Sequence, residues 1–378
     1  MAALTEEQSI VRDQAKAWAA EQAPVQAFRK VRDAGIETAF DPKTWREMID
    51  LGWTGIVVPE AYGGSDLGYL TFGLVLEELG RQLTAAPLFA SGLVGASALL
   101  LGGTEAQKQE VLPKIVKGEE ILTLAVDESP RHAPEQTALK AERAGGGFRL
   151  SGEKTLVFEG MAATTIIVAA RTGGSPGETS GISLFLVPAS ANRIARASMH
   201  TIDSRGYARV RFDGVEVPAS AVLGTVDNGF PLLDATLERA RAGVAADMLG
   251  TAMQSFDMTL EYLKTRKQFG HVIGSFQALG HRAATLFTGM ELARSCVEAA
   301  LQGIDDGAPD TAALCSLSKA KMGEHLYDMS NQLIQIHGGI GMTDEFDAGL
   351  YLKRARVLEA AFGNRAFHRD RYGRLLGF

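Results

Sequence analysis

Tyr262-Leu263-Lys264-Thr265-Arg266-Lys267-Gln268-Phe269-Gly270, followed by Ile273-Gly274-Ser275-Phe276-Gln277, is the stretch that decides how this 378-residue chain is read. It ends one helical pattern, makes a turn and opens the next helix. A guanidinium at such a corner can hold a diphosphate through charge-assisted hydrogen bonds. Gln268 and Gln277 offer amides to the same ligand or to its sugar. Taken alone, the segment reads first as a helix-corner salt bridge with Phe269 in the core. A second segment, Gln335-Ile336-His337-Gly338-Gly339-Ile340-Gly341-Met342, closes a long helix with glycines. These allow a turn with positive φ and leave backbone amides that can meet a phosphate, although a glycine after a helix is most often a C-cap. His337 is expected to pack at that turn.

Outward from the corner, Leu237 to Thr265, Phe276 to Gly303, Thr311 to Ile336 and Asp347 to Phe362 carry helical apolar periodicity. Four such helices with short connections suggest an antiparallel bundle. Upstream, the texture is that of strands. Ile121 to Val126, Thr165 to Ala170, Ile182 to Val187 and Ala208 to Val217 are β-like, and Gly145-Gly146 separates two hairpin arms. This implies a barrel or sandwich. The first segment is helical again, with Thr5 and Gln8 as a capping box, helices over Thr44 to Leu51, Thr71 to Leu83 and Glu105 to Lys117, and a turn-rich loop at Val57 to Gly64. The order is α, β, α, with expected domains over 1–120, 121–226 and 227–378.

The net charge of −7 and the absence of a basic stripe interleaved with aromatics argue against a nucleic-acid partner. No apolar run is long enough to span a bilayer, and Met1 to Arg12 has no secretory pattern. Cys296 and Cys315 show no metal spacing and read as core thiols, so a reducing cytoplasm is expected and no metal site.

The two segments, the α–β–α order, Pro59-Glu60-Ala61-Tyr62-Gly63-Gly64, Leu76-Glu77-Glu78-Leu79-Gly80 and Gly152-Glu153-Lys154 together resemble the acyl-CoA dehydrogenase family over essentially the whole chain. The resemblance implies an N-terminal helical domain, a central β domain, a C-terminal four-helix bundle, tetramers built as a dimer of dimers, FAD, an acyl-CoA substrate and an electron-transfer flavoprotein as acceptor. In that family a glutamate takes a proton next to the thioester carbonyl and a hydride leaves the next carbon for the flavin. The middle domain of one subunit cradles the flavin ring, and a neighbouring subunit serves the adenine and diphosphate end. Arg266, Gln268, Phe269, Gln277, Gln335, Gly338 and Gly339 match the positions of that second role.

The other half of the pattern departs from the family. Val126-Asp127-Glu128-Ser129-Pro130-Arg131-His132 stands in place of a Thr-Glu-Pro…Gly-Ser-Asp stretch. In Gly152-Glu153-Lys154-Thr155-Leu156-Val157-Phe158-Glu159, Phe158 takes the place of a hydroxyl near the flavin's reactive nitrogen, and its side chain cannot donate a hydrogen bond. Phe362 occupies the usual glutamate position, and Ala240, before Arg241, the alternative one. Glu359, on nearly the same helical face as Phe362, together with Glu238 and Asp247, are the remaining carboxylates; each reads first as a surface or ion-pair residue. The altered motifs most resemble the small subunit of pimeloyl-CoA dehydrogenase-type enzymes, two-subunit assemblies in which one chain keeps the glutamate. The leading expectation is a subunit of a heteromeric FAD-dependent acyl-CoA dehydrogenase that completes the FAD site of a homologous catalytic partner. The alternatives are a homotetrameric dehydrogenase with a relocated base, a flavin-dependent hydroxylase or oxidase of the same fold, and a non-catalytic structural subunit.

Overall fold

The structure, a computed structural model, describes residues 4–378; the first three residues of the Met1 to Arg12 segment lie outside it. The chain forms two compact units. One comprises Met1–Arg29 (described from residue 4), Tyr69–Thr84 and Arg241–Phe378; the other comprises Lys30–Gly68 and Ala85–Ala240.

The N-terminal third is helical: α1 (Glu6–Gln22), α2 (Val25–Asp33), α3 (Pro42–Asp50), α4 (Gly68–Arg81), α5 (Ala96–Gly102) and α6 (Glu105–Val116). The capping box holds at the start of α1, where Thr5 Oγ1 accepts from Gln8 N at 3.1 Å and Gln8 Oε1 accepts from Thr5 N at 3.0 Å. A seven-residue π-helical stretch, Phe89–Gly95, runs straight into α5. The sequence reading left it unassigned because two glycines interrupt its apolar run, yet it is buried almost throughout. The loop at Val57 to Gly64 folds back on itself: Ser65 N donates to Gly55 O, and Asp66 N to Val58 O, at 3.0 Å each. A Cβ on Gly64 would lie 2.0 Å from Val58 O, against backbone that cannot step aside. Gly64→Ala is therefore expected to destabilise this unit by about 3 kcal/mol, within the range of overpacking and backbone strain. A denaturant midpoint equal to that of the parent would contradict this.

Eight strands follow: β1 (Leu122–Ala125), β2 (Lys140–Ala144), β3 (Gly147–Val157), β4 (Thr165–Arg171), β5 (Ile182–Pro188), β6 (Ile194–Ser198), β7 (Ala208–Pro218) and β8 (Val222–Leu223). The expected barrel or sandwich takes the form of one sheet in the order β6-β7-β3-β2-β4-β5-β8, with β1 parallel to β4. β1 and β4 are buried along both faces, as their unbroken apolar runs require, whereas β7 alternates buried and exposed residues. The β2–β3 hairpin turns on Gly145 and Gly146 at φ +57° and +83°, with Ala144 paired to Gly147. Two successive positive φ angles match the right-handed strand twist.

The C-terminal part contains α7 (Phe230–Thr265), a two-residue pair β9 (Lys267–Gln268) and β10 (His271–Val272), α8 (Gln277–Asp305), α9 (Thr311–His337), α10 (Ala348–Ala360) and α11 (Arg365–Leu375). Four of these five helices were expected. The fifth, α11, is too polar to show an apolar stripe; Asn364 caps it by accepting from Phe367 N at 2.9 Å. In the same unit Asp305, at the end of α8, accepts from Tyr69 N and Leu70 N in the first turn of α4, at 2.6 and 2.9 Å. A carboxylate there meets both free amides and the positive end of the helix dipole. Cys315 is buried and Cys296 only partly so. Among the described residues no helix is long and apolar enough to cross a membrane, and no cluster of His, Cys, Asp or Glu could hold a metal.

Candidate functional site

The corner after α7 is a small hairpin. Arg266 N donates to Tyr262 O at 2.9 Å, ending the helix, and Ile273 N donates to Arg266 O at 2.8 Å, closing the loop. β9 and β10 pair across Phe269 and Gly270, which sit at φ +54° and +79°. Arg266, Gln268 and Gln277 are exposed, and Gln277 is the first residue of α8. Arg266 makes no ion pair among the described residues. The salt-bridge reading of this corner is therefore corrected, and so is the placement of Phe269 in the core, since its ring is 89% exposed. The two-residue turn points that side chain away from the apolar cluster beneath.

The second segment comes to the same place. α9 ends at His337, and Gly338, at φ +62° and ψ −134°, donates its N–H to Ile334 O. Gln335, Gly338 and Gly339 are exposed. Leu263, Ile273 and Ile336 form a small core under both segments, joined by Tyr262, Leu279 and Ala283. The fold thus gathers an unpaired guanidinium, three exposed amide side chains, the first turn of α8 and an open glycine turn on one side of a single unit. Gln268 Nε2 donates to Lys267 O at 2.7 Å, so the exposed guanidinium, with Gln277 and Gln335 beside it, is the group that best suits an anion such as a diphosphate.

The residues considered for proton removal are arranged differently. α10 ends at Ala360, so Phe362 lies beyond it at φ +53° and does not share a helical face with Glu359, which corrects that expectation. Phe362 is 7% exposed, and its carbonyl lies 3.1 Å from His368 Nε2. Glu359 Oε1 accepts from Arg365 N at 3.1 Å. Asp247 is paired with Arg354 at 2.6 Å. Glu238 is buried at 4% exposure and so is not a surface residue, and Ala240 is fully buried.

Sequence reasoning missed Lys319. Its ammonium is fully buried and donates to Leu358 O, Glu359 O and Gly363 O at 2.9, 3.0 and 3.1 Å. It ties the end of α10 to the turn that carries Phe362, satisfying carbonyls that the helix end leaves open. The available signal was its register, since Cys315, Met322 and Leu326 share its buried face. Burial pushes its pKa down to about 7, against the attraction of Glu359. From pH about 7 up to the ordinary lysine value of about 10.4, the unfolded chain then holds a proton that the native chain does not. Stability contributed by this group therefore rises with pH across that interval. Lys319→Met is expected to lose that rise, read as denaturant midpoints at pH 7 and 9.5; parallel pH curves for parent and variant would count against it.

In the other unit, Phe158 is buried, with its ring 4.5 Å from Tyr207 and 5.4 Å from Phe89. Thr123 Oγ1 donates to its carbonyl at 2.5 Å. Leu156 and Glu159 on either side hold positive φ. Lys154, fully buried, donates to Glu128 at 2.7 Å and to Val126 O at 2.8 Å. Glu128 also accepts from Ala138 N and Leu139 N, so the altered run Val126 to His132 is tied to β3 and to the segment before β2.

Residues 5–119 match the family described as "Acyl-CoA dehydrogenase, N-terminal domain", and residues 227–377 "Acyl-CoA dehydrogenase, C-terminal domain". A mitochondrial isovaleryl-CoA dehydrogenase of Solanum tuberosum is 31% identical over 89% of this chain and 82% of its own. Among solved structures, the ChsE4-ChsE5 complex from Mycobacterium tuberculosis superposes with a TM-score of 0.88 at 28% identity, covering 99% of this chain and 98% of that one. The Tcur3481-Tcur3483 steroid ACAD gives 0.88 at 30% identity, covering 98% of each.

Proposed function

This chain belongs to the acyl-CoA dehydrogenase family, and we propose that it is the subunit of a heteromeric enzyme that completes the FAD site of a homologous catalytic partner. At family level it is an acyl-CoA dehydrogenase-type oxidoreductase, and the family typically binds FAD. The carrying observation is an asymmetry. The Arg266 corner is complete, exposed and without an ion pair among the described residues, whereas Phe158, Phe362 and Ala240 hold the places of the hydroxyl and of the two alternative bases.

The residues fit FAD at one end only. Arg266 would hold the diphosphate, with Gln268, Gln277 and Gln335 and the Gly338–Gly339 turn around the adenine end and Phe269 against the partner's cofactor. Bound FAD supplies the two-electron acceptor for dehydrogenation of an acyl-CoA. At the ring end Phe158 offers no donor, so no step of the chemistry is assigned to this chain's own middle domain. The similarity to the ChsE4-ChsE5 complex and to the paired Tcur3481-Tcur3483 protein supports a two-chain assembly of the small-subunit kind resembling pimeloyl-CoA dehydrogenase. An electron-transfer flavoprotein or similar acceptor would take the electrons. The engagement of Asp247 with Arg354, and of Glu359 with Arg365 N, argues against either as a relocated base, which leaves buried Glu238 as the carboxylate a self-sufficient enzyme would use.

The test is to purify the chain with and without a homologous subunit carrying the glutamate, and to measure flavin per chain, oligomeric mass and acyl-CoA oxidation. The reading expects fewer flavins than chains and activity only in the mixed assembly. One flavin per chain and full activity of this chain alone would overturn it in favour of the self-sufficient enzyme.

A further inference from the structure

Three aromatic rings lie directly behind the glycine turn. Tyr262, on the last turn of α7, faces His337 with ring centroids 4.3 Å apart and planes inclined by 30°. Phe346, beyond the turn, meets the other part of the imidazole at 4.8 Å and 38°. His337 is only 3% exposed. Its Nδ1 lies 2.7 Å from Leu333 O, and because a carbonyl only accepts, Nδ1 carries the proton. Nε2 has no hydrogen-bond partner among the described residues. The ring is thus pinned by one hydrogen bond and by packing against two aromatic faces.

This pin bridges the two motifs. Tyr262 O accepts from Arg266 N, so the residue that stacks on His337 also ends the helix at the guanidinium. Tyr262 Oη lies 3.5 Å from His337 O, a long contact that adds little. On the other side, His337 is followed immediately by Gly338, whose backbone leaves the helix in a conformation open only to glycine.

We propose that His337 is a positioning residue whose flat ring, held between Tyr262 and Phe346, sets the spacing between the Gly338–Gly339 turn and Arg266. The proposal rests on the reading of that corner as the adenine and diphosphate end of an FAD site. A ligand bridging two separate segments is bound well only when both are held at the right separation.

ADP, which carries the adenine and diphosphate without the flavin, is the probe. Its affinity for the purified protein, with any partner it co-purifies with, is measured by calorimetry for the parent, Arg266→Ala, His337→Ala and His337→Phe, alongside thermal melting. His337→Ala is expected to weaken ADP about tenfold at a temperature where the protein is still folded, alongside the lower melting temperature that loss of a buried ring brings. His337→Phe, which keeps the flat ring, is expected to stay within about threefold. Should His337→Ala fail to fold, Tyr262→Leu against Tyr262→Phe reads the same stack from its other face. If Arg266→Ala weakens ADP but His337→Ala does not, or if His337→Phe loses as much as His337→Ala, the positioning role is wrong while the corner stands. If Arg266→Ala itself leaves ADP binding unchanged, the corner is not an FAD site.

Discussion

Purified without a homologous partner, this chain is expected to oxidise acyl-CoA about 10³-fold more slowly than the mixed assembly, the middle of the range that a positioned general base contributes. The reason is local. Removing a proton next to a thioester carbonyl needs a desolvated carboxylate within hydrogen-bond reach of that carbon. Phe362 is apolar and buried, and Ala240 ends in a methyl group. Asp247 is held by Arg354 at 2.6 Å, which fixes its carboxylate against the guanidinium and away from a substrate carbon. Reduction of an artificial electron acceptor by this chain, by its partner and by the two together measures the effect. Equal rates with and without the partner would sink the idea.

Arg266→Ala is expected to weaken FAD in the mixed assembly by about 10- to 100-fold, the value of a charge-assisted hydrogen bond to phosphate. The fold should not notice. Arg266 is exposed and makes no ion pair among the described residues, and substitutions at such places stay within about 0.5 kcal/mol. Arg266→Lys should recover only part of the affinity, since an ammonium keeps the charge but lacks the planar fork. Flavin fluorescence during titration reads the affinity, and a melting curve reads the fold. A variant that releases FAD only because it melts would refute the assignment, and so would one that binds FAD like the parent.

Much of this was legible in the sequence because it was written locally. Capping at Thr5, the Gly145-Gly146 turn and the long apolar periodicity of α7 to α9 each depend on neighbouring residues, and each stands where the pattern put it. The elements that were missed depend on distant partners. α11 is polar along its length and is fixed by ties such as Arg371 to Ala312 O and to Ser316 Oγ, more than fifty residues away. β6, with its Ala, Arg and Ser, has little strand character of its own and takes its register from β7. At the candidate site the motifs gave the residues but not their exposure. Phe269 looked like core because phenylalanine usually is. Register alone could mark Lys319 as buried but not what it clamps, since its three acceptors are backbone carbonyls some forty residues further on.

The turn at Phe269 and Gly270 bears on how this protein should be engineered. Two-residue hairpins of this kind are best served by asparagine followed by glycine, and an aromatic side chain held at positive φ costs about 1 kcal/mol or more. Its ring repays little of this within the chain, since it meets only the edge of Phe276, at 6.3 Å between centroids, and otherwise stands in water. A redesign that maximised the stability of the lone subunit would therefore write asparagine at 269 and score it as an improvement. It would erase the exposed aromatic surface that the proposed assembly would use, so under that reading the sequence is to be judged against the assembly and not against the lone chain.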